Sequence, residues 1–371
     1  MQTPVSGQVS SARPIHGGLR DAEARALGLD PAEVLDFSAS VNPLGPSPRV
    51  REALARFDPS AYPDPECRAL RDALARLHGV PASNILPGNG ATELIHLIPR
   101  ALAPQGGEYA VVLGPTFGEY DVACRLAGLN VVEVRATREK GFQWDMDEVC
   151  HVLAEEAPVL LFLCNPNNPT GVYLDRRAVL RLLDAAPDAT LVLDEAYAPF
   201  VAAPWASSDL TASGRVVVLR SMTKDGALAG LRLGYALAQE DVAQRLRIFQ
   251  PSWSVNAAAQ AAGLAALADA DHLTRARAEV RRAVAYLREA LSEMGLYVAP
   301  SLANFVLVEV GDAPAMRLAL LRRGLCVRDC TSFGLPSFIR IGARRLPDCE
   351  RLMAALPDAL GRGGVAVSHH G

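Results

Sequence analysis

Runs of consecutive apolar residues, rich in valine and leucine, recur along the first two thirds of the chain. They lie at residues 110–113, 131–134, 159–163, 191–193, 216–219 and 233–237. Unbroken hydrophobicity is typical of strands that are buried on both faces, and segments with helical periodicity separate most of these runs. The pattern therefore predicts an α/β domain with a doubly wound, mainly parallel sheet.

A second group of elements follows this sheet. Residues 256–294 are rich in alanine, arginine, leucine and glutamate and predict a long helical region with a break near residues 269–271. Strand-like segments at 304–310, 325–328 and 338–342 and a last helix near 348–360 predict a smaller α+β domain. We accordingly divide the chain into an amino-terminal segment that joins the small domain (1–50), a large domain (51–270), the small domain (271–360) and a flexible tail (361–371).

Composition narrows the possible classes of protein. The 371 residues are half apolar and carry a formal net charge of -4, which gives no electrostatic reason to expect nucleic acid or an anionic membrane as a partner. The seven cysteines are scattered without metal-ligand spacing, so we predict free thiols, a reducing compartment and no metal site. Without a signal pattern or a membrane-length apolar run, the sequence predicts a cytoplasmic protein.

Lysine is scarce, because Lys140 and Lys224 are the two lysines among 37 basic residues. Lys140 lies in a polar, turn-like segment, where a solvated lysine is expected. Lys224 comes soon after the apolar run 216–219 and directly after two hydroxyl residues, Ser221 and Thr223, with Met222 between them. An amine at the end of a buried strand can have a lowered pKa and form a Schiff base. The local context of Lys224 alone is also compatible with an ordinary surface lysine.

Polar residues follow other predicted strands, at the edge of a parallel sheet where ligands bind. Asn168 lies in a long polar turn, and Asp194 and Tyr197 follow the run 191–193. The loop Gly90-Ala91-Thr92 opens an apolar helix, and such a loop presents free N–H groups to an anion. A turn, a helix cap or a loop explains each segment singly. Together they supply the phosphate site, acid, phenol, amide and amine that pyridoxal 5′-phosphate needs.

The order of these motifs gives the chain a resemblance to a known family. The segments Asn-Pro-Asn-Asn-Pro-Thr-Gly (165–171), Asp-x-x-Tyr (194–197) and Ser-x-x-Lys-x7-Arg (221–232) resemble those of the fold-type I pyridoxal-phosphate enzymes, the aspartate aminotransferase superfamily. The similarity extends over about residues 16–360. It implies that Lys224 bonds to the cofactor aldehyde and moves the proton at the substrate Cα. It also implies that Asp194 pairs with the ring nitrogen, while Asn168 and Tyr197 bind the ring 3-oxygen.

The resemblance implies further contacts with the cofactor and the substrate. Phe117 would stack on the cofactor ring, although it is equally compatible with an ordinary core aromatic. Arg340 would clamp a substrate carboxylate through its planar guanidinium. Tyr62 would reach the phosphate in a neighbouring subunit, which implies a homodimer. The cofactor phosphate would be held within its own subunit by Gly90, Ala91, Thr92, Ser221, Thr223 and Arg232.

The sequence resembles two branches of the superfamily. Residues 88–93 and 62–65 resemble the histidinol-phosphate aminotransferases. Four segments resemble the L-threonine-O-3-phosphate decarboxylases of cobalamin biosynthesis. They are the His-Gly-Gly sequence at 16–18 and residues 36–45, 251–256 and 327–341. The second resemblance makes His16, Asn42 and Arg328 candidate ligands of a substrate phosphate, although His16 could instead cap a turn. Leu19 and Asp225 depart from the usual pattern and leave the substrate open.

From these residues we predict a homodimeric pyridoxal-phosphate enzyme that acts on a phosphorylated amino acid or amine. Our first expectation is decarboxylation of threonine phosphate to (R)-1-amino-2-propanol phosphate, and amine transfer from histidinol phosphate is the alternative. A relative that has lost catalysis and serves as a binding or regulatory subunit is a third hypothesis. The joint presence of Asp194, Tyr197, Lys224 and Arg232 argues against that third hypothesis.

Overall fold

The computed structural model describes residues 16–103 and 107–362 of the chain. Its helices are α1 Asp21–Ala26, α2 Pro48–Arg56, α3 Arg68–His78, α4 Gly90–Leu102, α5 Glu119–Leu126, α6 Met146–Glu156, α7 Arg176–Ala185, α8 Glu240–Phe249, α9 Ala257–Leu267, α10 Ala270–Glu293, α11 Ala313–Leu321 and α12 Leu346–Arg362. Its strands are β1 Leu35–Asp36, β2 Ile85–Asn89, β3 Tyr109–Gly114, β4 Asn130–Arg135, β5 Leu160–Cys164, β6 Thr190–Asp194, β7 Val216–Ser221, β8 Leu233–Leu237, β9 Phe305–Glu309, β10 Leu325–Cys326, β11 Arg328–Asp329 and β12 Phe338–Gly342.

The large sheet has seven strands in the order β2-β8-β7-β6-β5-β3-β4. Strands β4, β3, β5, β6 and β7 are parallel to one another, whereas β8 runs antiparallel to both of its neighbours. The prediction of a mainly parallel α/β sheet is therefore confirmed. Strand β2 was missed, because its Pro87-Gly88-Asn89 sequence resembles a loop. It lies at the edge of the sheet, where proline is tolerated.

Apolar side chains cover both faces of this sheet. Along β5, Leu161 and Leu163 belong to the core under α3, α6, α7 and α9, while Leu160 and Phe162 belong to the core under α4, α5 and α8. All five residues of β5 are buried. Burial on both faces is the physical reason that the strands carry continuous rather than alternating hydrophobicity.

A smaller three-stranded antiparallel sheet, β11-β12-β9, packs with α10, α11 and α12. Strand β1 pairs in parallel with β10, so the amino-terminal segment contacts the carboxyl-terminal part of the chain. The predicted helical region divides into α9 and α10, and Asp269 caps α10 through the N–H of His272. The division into domains at residues 50, 270 and 360 stays a prediction.

The last helix extends two residues beyond its predicted end, to Arg362. The rest of the predicted tail, residues 363–371, lies outside the described residues. The seven cysteines all fall within the described part of the chain and are free thiols. Within residues 16–103 and 107–362, no helix is both long and apolar enough to cross a membrane.

Candidate active site

A cavity of about 770 Å³ lies at the carboxyl ends of the parallel strands. Strand register brings the functional residues there, because Asp194 at the end of β6 pairs with Cys164 of β5 and with Leu219 of β7. The predicted site residues that line the cavity are His16, Ala91, Thr92, Phe117, Asn168, Asp194, Tyr197, Ser221, Thr223, Lys224, Arg232, Arg328 and Arg340. The predicted residues outside this lining are Gly90, Asn42 and Tyr62.

The environments of the two lysines differ. Desolvation lowers the pKa of Lys224 to about 8, and the nearby cations of Arg340 and Arg232 act in the same direction, against the opposing charge of Asp194. Its Nζ lies 5.7 Å from the centroid of the Tyr197 ring. Lys140, by contrast, is exposed and forms surface ion pairs with Asp145 and Glu148. The lowered pKa leaves Lys224 a larger fraction of neutral, nucleophilic amine than an exposed lysine has.

Asp194 is a buried carboxylate that is oriented by two donors. The hydroxyl of Tyr120 donates to its Oδ2 at 2.7 Å, and the N–H of Ala196 donates to its Oδ1 at 2.9 Å. Burial raises the pKa of Asp194, and these two hydrogen bonds oppose that shift. The sequence interpretation missed Tyr120, which lies one turn after Phe117 with its ring centroid 5.7 Å from the Phe117 ring. The carboxylate of Asp194 is therefore held in one orientation at the end of β6.

Tyr197 and Asn168 face the same cavity. Burial raises the pKa of Tyr197 to about 12, so its phenol stays protonated and can donate a hydrogen bond at neutral pH. Asn168 accepts a hydrogen bond from Nη1 of Arg340 through its side-chain oxygen. Its amide nitrogen remains the group through which it could donate to a ligand.

The start of α4 and Arg232 lie together at the place of the predicted phosphate cradle. Gly90 has a φ of +75°, and a Cβ there would lie 2.8 Å from Nη2 of Arg232. The guanidinium thus lies directly against the helix terminus. Gly234 of β8 permits the same close packing, since its Cβ would lie 2.5 Å from the backbone nitrogen of Ala91. Free helix N–H groups beside a guanidinium, with Thr92 in the lining, fit the phosphate of the cofactor.

Two arginines of the cavity lining lie side by side on neighbouring strands. Arg340 of β12 pairs in register with Arg328 of β11. Arg340 is 5% exposed and donates through Nη2 to the backbone oxygen of Ser38 at 2.8 Å. Arg328 donates to the hydroxyl of Ser332 at 2.6 Å, and its guanidinium lies 5.3 Å from the centroid of the Phe333 ring. This pair of cations is suited to a substrate with more than one anionic group.

His16 forms part of the cavity wall through contacts that the sequence did not reveal. Its Nε2 lies 2.7 Å from Oε1 of Glu119, whose Oε2 lies 2.7 Å from Nε2 of His96. Hydrogen bonds from His16 and His96 lower the pKa of Glu119 to about 2. The following backbone is tied down by the bond from Gly18 N–H to the Ser38 hydroxyl at 2.8 Å. His16 therefore has a fixed acidic partner, Glu119, at the cavity wall.

Asn42 lies outside the cavity lining, and its predicted contact with a substrate phosphate stays a prediction. Its side chain is 2% exposed, donates to the backbone oxygen of Asp225 and accepts from the N–H of Leu44, both at 2.9 Å. Both polar atoms of the amide therefore bind backbone groups. Tyr62 lies outside the cavity on the surface, 83% exposed, with its ring 4.9 Å from that of Trp253.

A lysine of lowered pKa, an oriented buried carboxylate, a phenol and a phosphate cradle at the ends of parallel strands define a fold-type I pyridoxal-phosphate enzyme. Comparison with known proteins agrees with this class. The model of the family "Aminotransferase class I and II" matches residues 32–356. The chain belongs to this family, and its cofactor is pyridoxal 5′-phosphate.

Individual relatives give more detail. The chain is 39% identical to a histidinol-phosphate aminotransferase of Symbiobacterium thermophilum over 91% of its own length and 93% of the relative's. Among solved structures, the histidinol-phosphate aminotransferase of Sinorhizobium meliloti in complex with pyridoxal-5'-phosphate superposes on this chain with a TM-score of 0.84. The two chains are 26% identical, and the superposition covers 93% of this chain and 95% of that one. The structure of the L-threonine-O-3-phosphate decarboxylase of Porphyromonas gingivalis superposes with a TM-score of 0.76 and 29% identity. That superposition covers 88% of this chain and 99% of the decarboxylase chain.

Proposed function

We propose that the protein transfers the amino group of a phosphorylated amine to a 2-oxo acid, with L-histidinol phosphate as the first candidate substrate. The observation that carries this proposal is the 39% identity, across most of both chains, to a histidinol-phosphate aminotransferase. The relatives therefore favour the alternative of our sequence interpretation over its first expectation, decarboxylation. The adjacent cations of Arg328 and Arg340 support a substrate pair that carries a phosphate and a carboxylate.

The proposed roles follow from the position of each side chain. The bound cofactor supplies an electron sink for the bonds at the substrate Cα. Lys224 holds the cofactor at rest and carries the proton to and from the substrate Cα. Asp194, oriented by Tyr120, keeps the ring nitrogen protonated, and Asn168 and Tyr197 donate to the ring 3-oxygen.

The remaining residues of the site bind and orient. Phe117 covers one face of the ring, Arg340 binds the carboxylate of the 2-oxo acid and Arg328 binds the substrate phosphate. The groups proposed to hold the cofactor phosphate are the backbone of Gly90 and Ala91 and the side chains of Thr92, Ser221, Thr223 and Arg232. The enzyme works as a homodimer in which Tyr62 completes the neighbouring subunit's phosphate site.

A second candidate is decarboxylation of threonine phosphate. It is favoured by the His-Gly-Gly segment, since the structure places His16 in the cavity wall, 5.4 Å from the Phe117 ring centroid. In this reaction CO2 rather than a proton leaves the substrate Cα, and the geometry of the carboxylate clamp selects the bond that breaks.

The two reactions differ in the co-substrate that they need. The purified protein with added cofactor is supplied with histidinol phosphate and 2-oxoglutarate, and glutamate is measured. In parallel it receives threonine phosphate alone, and CO2 is measured. Glutamate formation without CO2 release supports the proposal, whereas CO2 release alone establishes the second candidate.

The Lys224→Ala variant is the control, because it removes the amine that both reactions require. The wild-type protein could turn over neither histidinol phosphate with 2-oxoglutarate nor threonine phosphate, and borohydride could trap no cofactor on Lys224. Those two results together would indicate a non-catalytic binding subunit.

A further inference from the structure

The backbone of residues 221–228, which carries Lys224, is weakly held by its own backbone-to-backbone hydrogen bonds, although Gly226 N–H also donates to Oδ1 of Asp225 at 2.8 Å. The backbone-to-backbone bonds run from Lys224 N–H to Ser221 O at 3.5 Å, from Ala227 N–H to Lys224 O at 3.4 Å and from Leu228 N–H to Met222 O at 3.3 Å. All three exceed the usual range for N–H to O=C bonds. Ala227 also has a φ of +53°, which is unfavourable for a residue with a Cβ. This segment needs outside contacts to keep one conformation.

Asn42 supplies two shorter bonds to this segment from a distant part of the chain. Its backbone N–H donates to the carbonyl of Lys224 at 2.8 Å, and its side-chain Nδ2 donates to the carbonyl of Asp225 at 2.9 Å. One buried residue thus holds two successive carbonyls. The first of them belongs to the lysine itself.

Asn42 is in turn fixed by its own surroundings. Its Oδ1 accepts from Leu44 N–H at 2.9 Å, and its carbonyl accepts from Gly45 N–H at 3.1 Å, which closes a tight turn. Gly45 has a φ of +72° in this turn, where glycine is favoured. Its carbonyl lies 2.9 Å from Nε2 of His272 in α10. The turn at residues 42–45 is therefore anchored independently of the Lys224 segment.

We propose that Asn42 is a positioning residue for Lys224. It fixes the backbone from which the amine extends, so that the amine approaches the cofactor and the substrate Cα from one direction. This inference rests on the proposed role of Lys224. The side-chain chemistry is specific, because asparagine offers a donor to Asp225 and an acceptor to Leu44, whereas aspartate offers the acceptor alone and alanine offers neither.

The first test needs no reaction. Hydrogen exchange of the cofactor-free protein is followed by mass spectrometry in peptides that contain residues 222–228. Loss of one hydrogen bond is worth about 1 kcal/mol, so Asn42→Ala and Asn42→Asp should each exchange about five-fold faster there. The matched control is Asn130→Ala, which removes an exposed amide bond to Gly107 and should leave these peptides unchanged.

The second test uses the enzyme with its cofactor. Both Asn42 variants should lower kcat about 10- to 100-fold with KM within about two-fold of wild type, because the amine is misplaced while the substrate contacts remain. Borohydride should also trap cofactor on Lys224 more slowly. Asn42→Asp keeps the acceptor for Leu44 N–H and loses the donor to the Asp225 carbonyl. It therefore separates the effect of the turn at residues 42–45 from the effect of the bond to Asp225.

The outcomes are distinct. Unchanged exchange in both variants, or an Asn42→Asp enzyme with wild-type kcat, overturns the positioning role. A raised KM with unchanged kcat would overturn it too and return Asn42 to substrate binding. Because the exchange measurement requires no turnover, it still decides the question if the proposed amine transfer is not the reaction.

Discussion

At the scale of single residues, burial and nearby charge together set how much of the Lys224 amine is neutral. Desolvation is the largest cause, and the guanidinium groups of Arg340 and Arg232 act in the same direction, against the charge of Asp194. Burial and both cations disfavour the ammonium form, so folding lowers the pKa of Lys224 from 10.5 to about 8. The arginines proposed to bind anions therefore also activate the amine.

We predict that attachment of the cofactor to Lys224 depends on pH with a midpoint near 8. Attachment needs the neutral amine, so its rate should reach half of its maximum at a pH of about 8 and level off at higher pH. In Arg340→Gln one cation is lost, the ammonium is less disfavoured, and the midpoint should move to higher pH. Borohydride trapping at a fixed cofactor concentration, across about pH 6 to 10, measures the profile.

The control for this experiment is Lys140→Ala, which should keep the wild-type midpoint because Lys140 lies on the surface. An unchanged midpoint in Arg340→Gln would show that Arg340 does not contribute to the pKa of Lys224.

The sequence identified site residues that directly follow strands. It did not identify the residues that hold those site residues in place. Asp194 and Lys224 could be predicted because strand ends in a parallel sheet meet at one edge. Tyr120 could not, because its partner Asp194 lies 74 positions away and a tyrosine in a helix has no local mark of such a bond. Asn42 was predicted to bind a substrate phosphate. Its hydrogen bond to the carbonyl of Asp225 could not be predicted, because the two residues are far apart in the sequence and only the fold brings them together.

At the scale of elements, the phosphate cradle depends on how closely α4 packs against β8. Gly234 is the point of contact. A Cβ there would lie 2.5 Å from Ala91 N and 2.9 Å from Arg220 O, and both are backbone atoms that cannot rotate away. Strand β8 and the start of α4 would have to separate, and the N–H groups of α4 would move with them.

We expect Gly234→Ala to lower the free energy of unfolding by about 1–3 kcal/mol, as overpacking does, and to weaken cofactor binding. Denaturant unfolding and a fluorescence titration with the cofactor measure the two effects. Gly230→Ala is the matched control, since a Cβ there meets no atom within 4 Å. Wild-type stability and affinity in Gly234→Ala would contradict the proposed dependence.

Most strands could be predicted to within a residue or two, because burial on both faces leaves a continuous apolar run. Strands β1 and β2 were missed, and the predicted strand at 325–328 divides into β10 and β11, which lie in different sheets. The Pro87-Gly88-Asn89 sequence of β2 has low strand propensity, and its extended conformation results from pairing with β8, which comes about 150 residues later in the chain. Pairing of this kind leaves no signal in the local sequence.

At the scale of the whole molecule, two exposed aromatic side chains meet on the surface at Tyr62. Tyr62 is 83% exposed and Trp253 is 48% exposed, and their ring centroids lie 4.9 Å apart. Tyrosine and tryptophan are enriched at surfaces that another protein covers. This supports the proposed homodimer with shared sites.

If Tyr62 completes the neighbouring subunit's site, two inactive variants should restore activity when mixed. Tyr62→Ala and Lys224→Ala are purified separately, unfolded and refolded together. Hybrid dimers then contain one intact site, so random pairing should recover about a quarter of wild-type activity. Each variant refolded alone is the control. Activity no higher than that of the better single variant would indicate that Tyr62 does not act across subunits.

The scarcity of lysine makes this chain unusually simple to label. Lys140 is exposed and lies in a surface ion pair, so replacing it with arginine should preserve both its charge and the fold. In Lys140→Arg, every amine-directed crosslinker or isotopic acylating reagent that modifies a lysine side chain reports on one position, Lys224. Measured in the peptide that contains residue 224, such a reagent would then titrate one active-site amine.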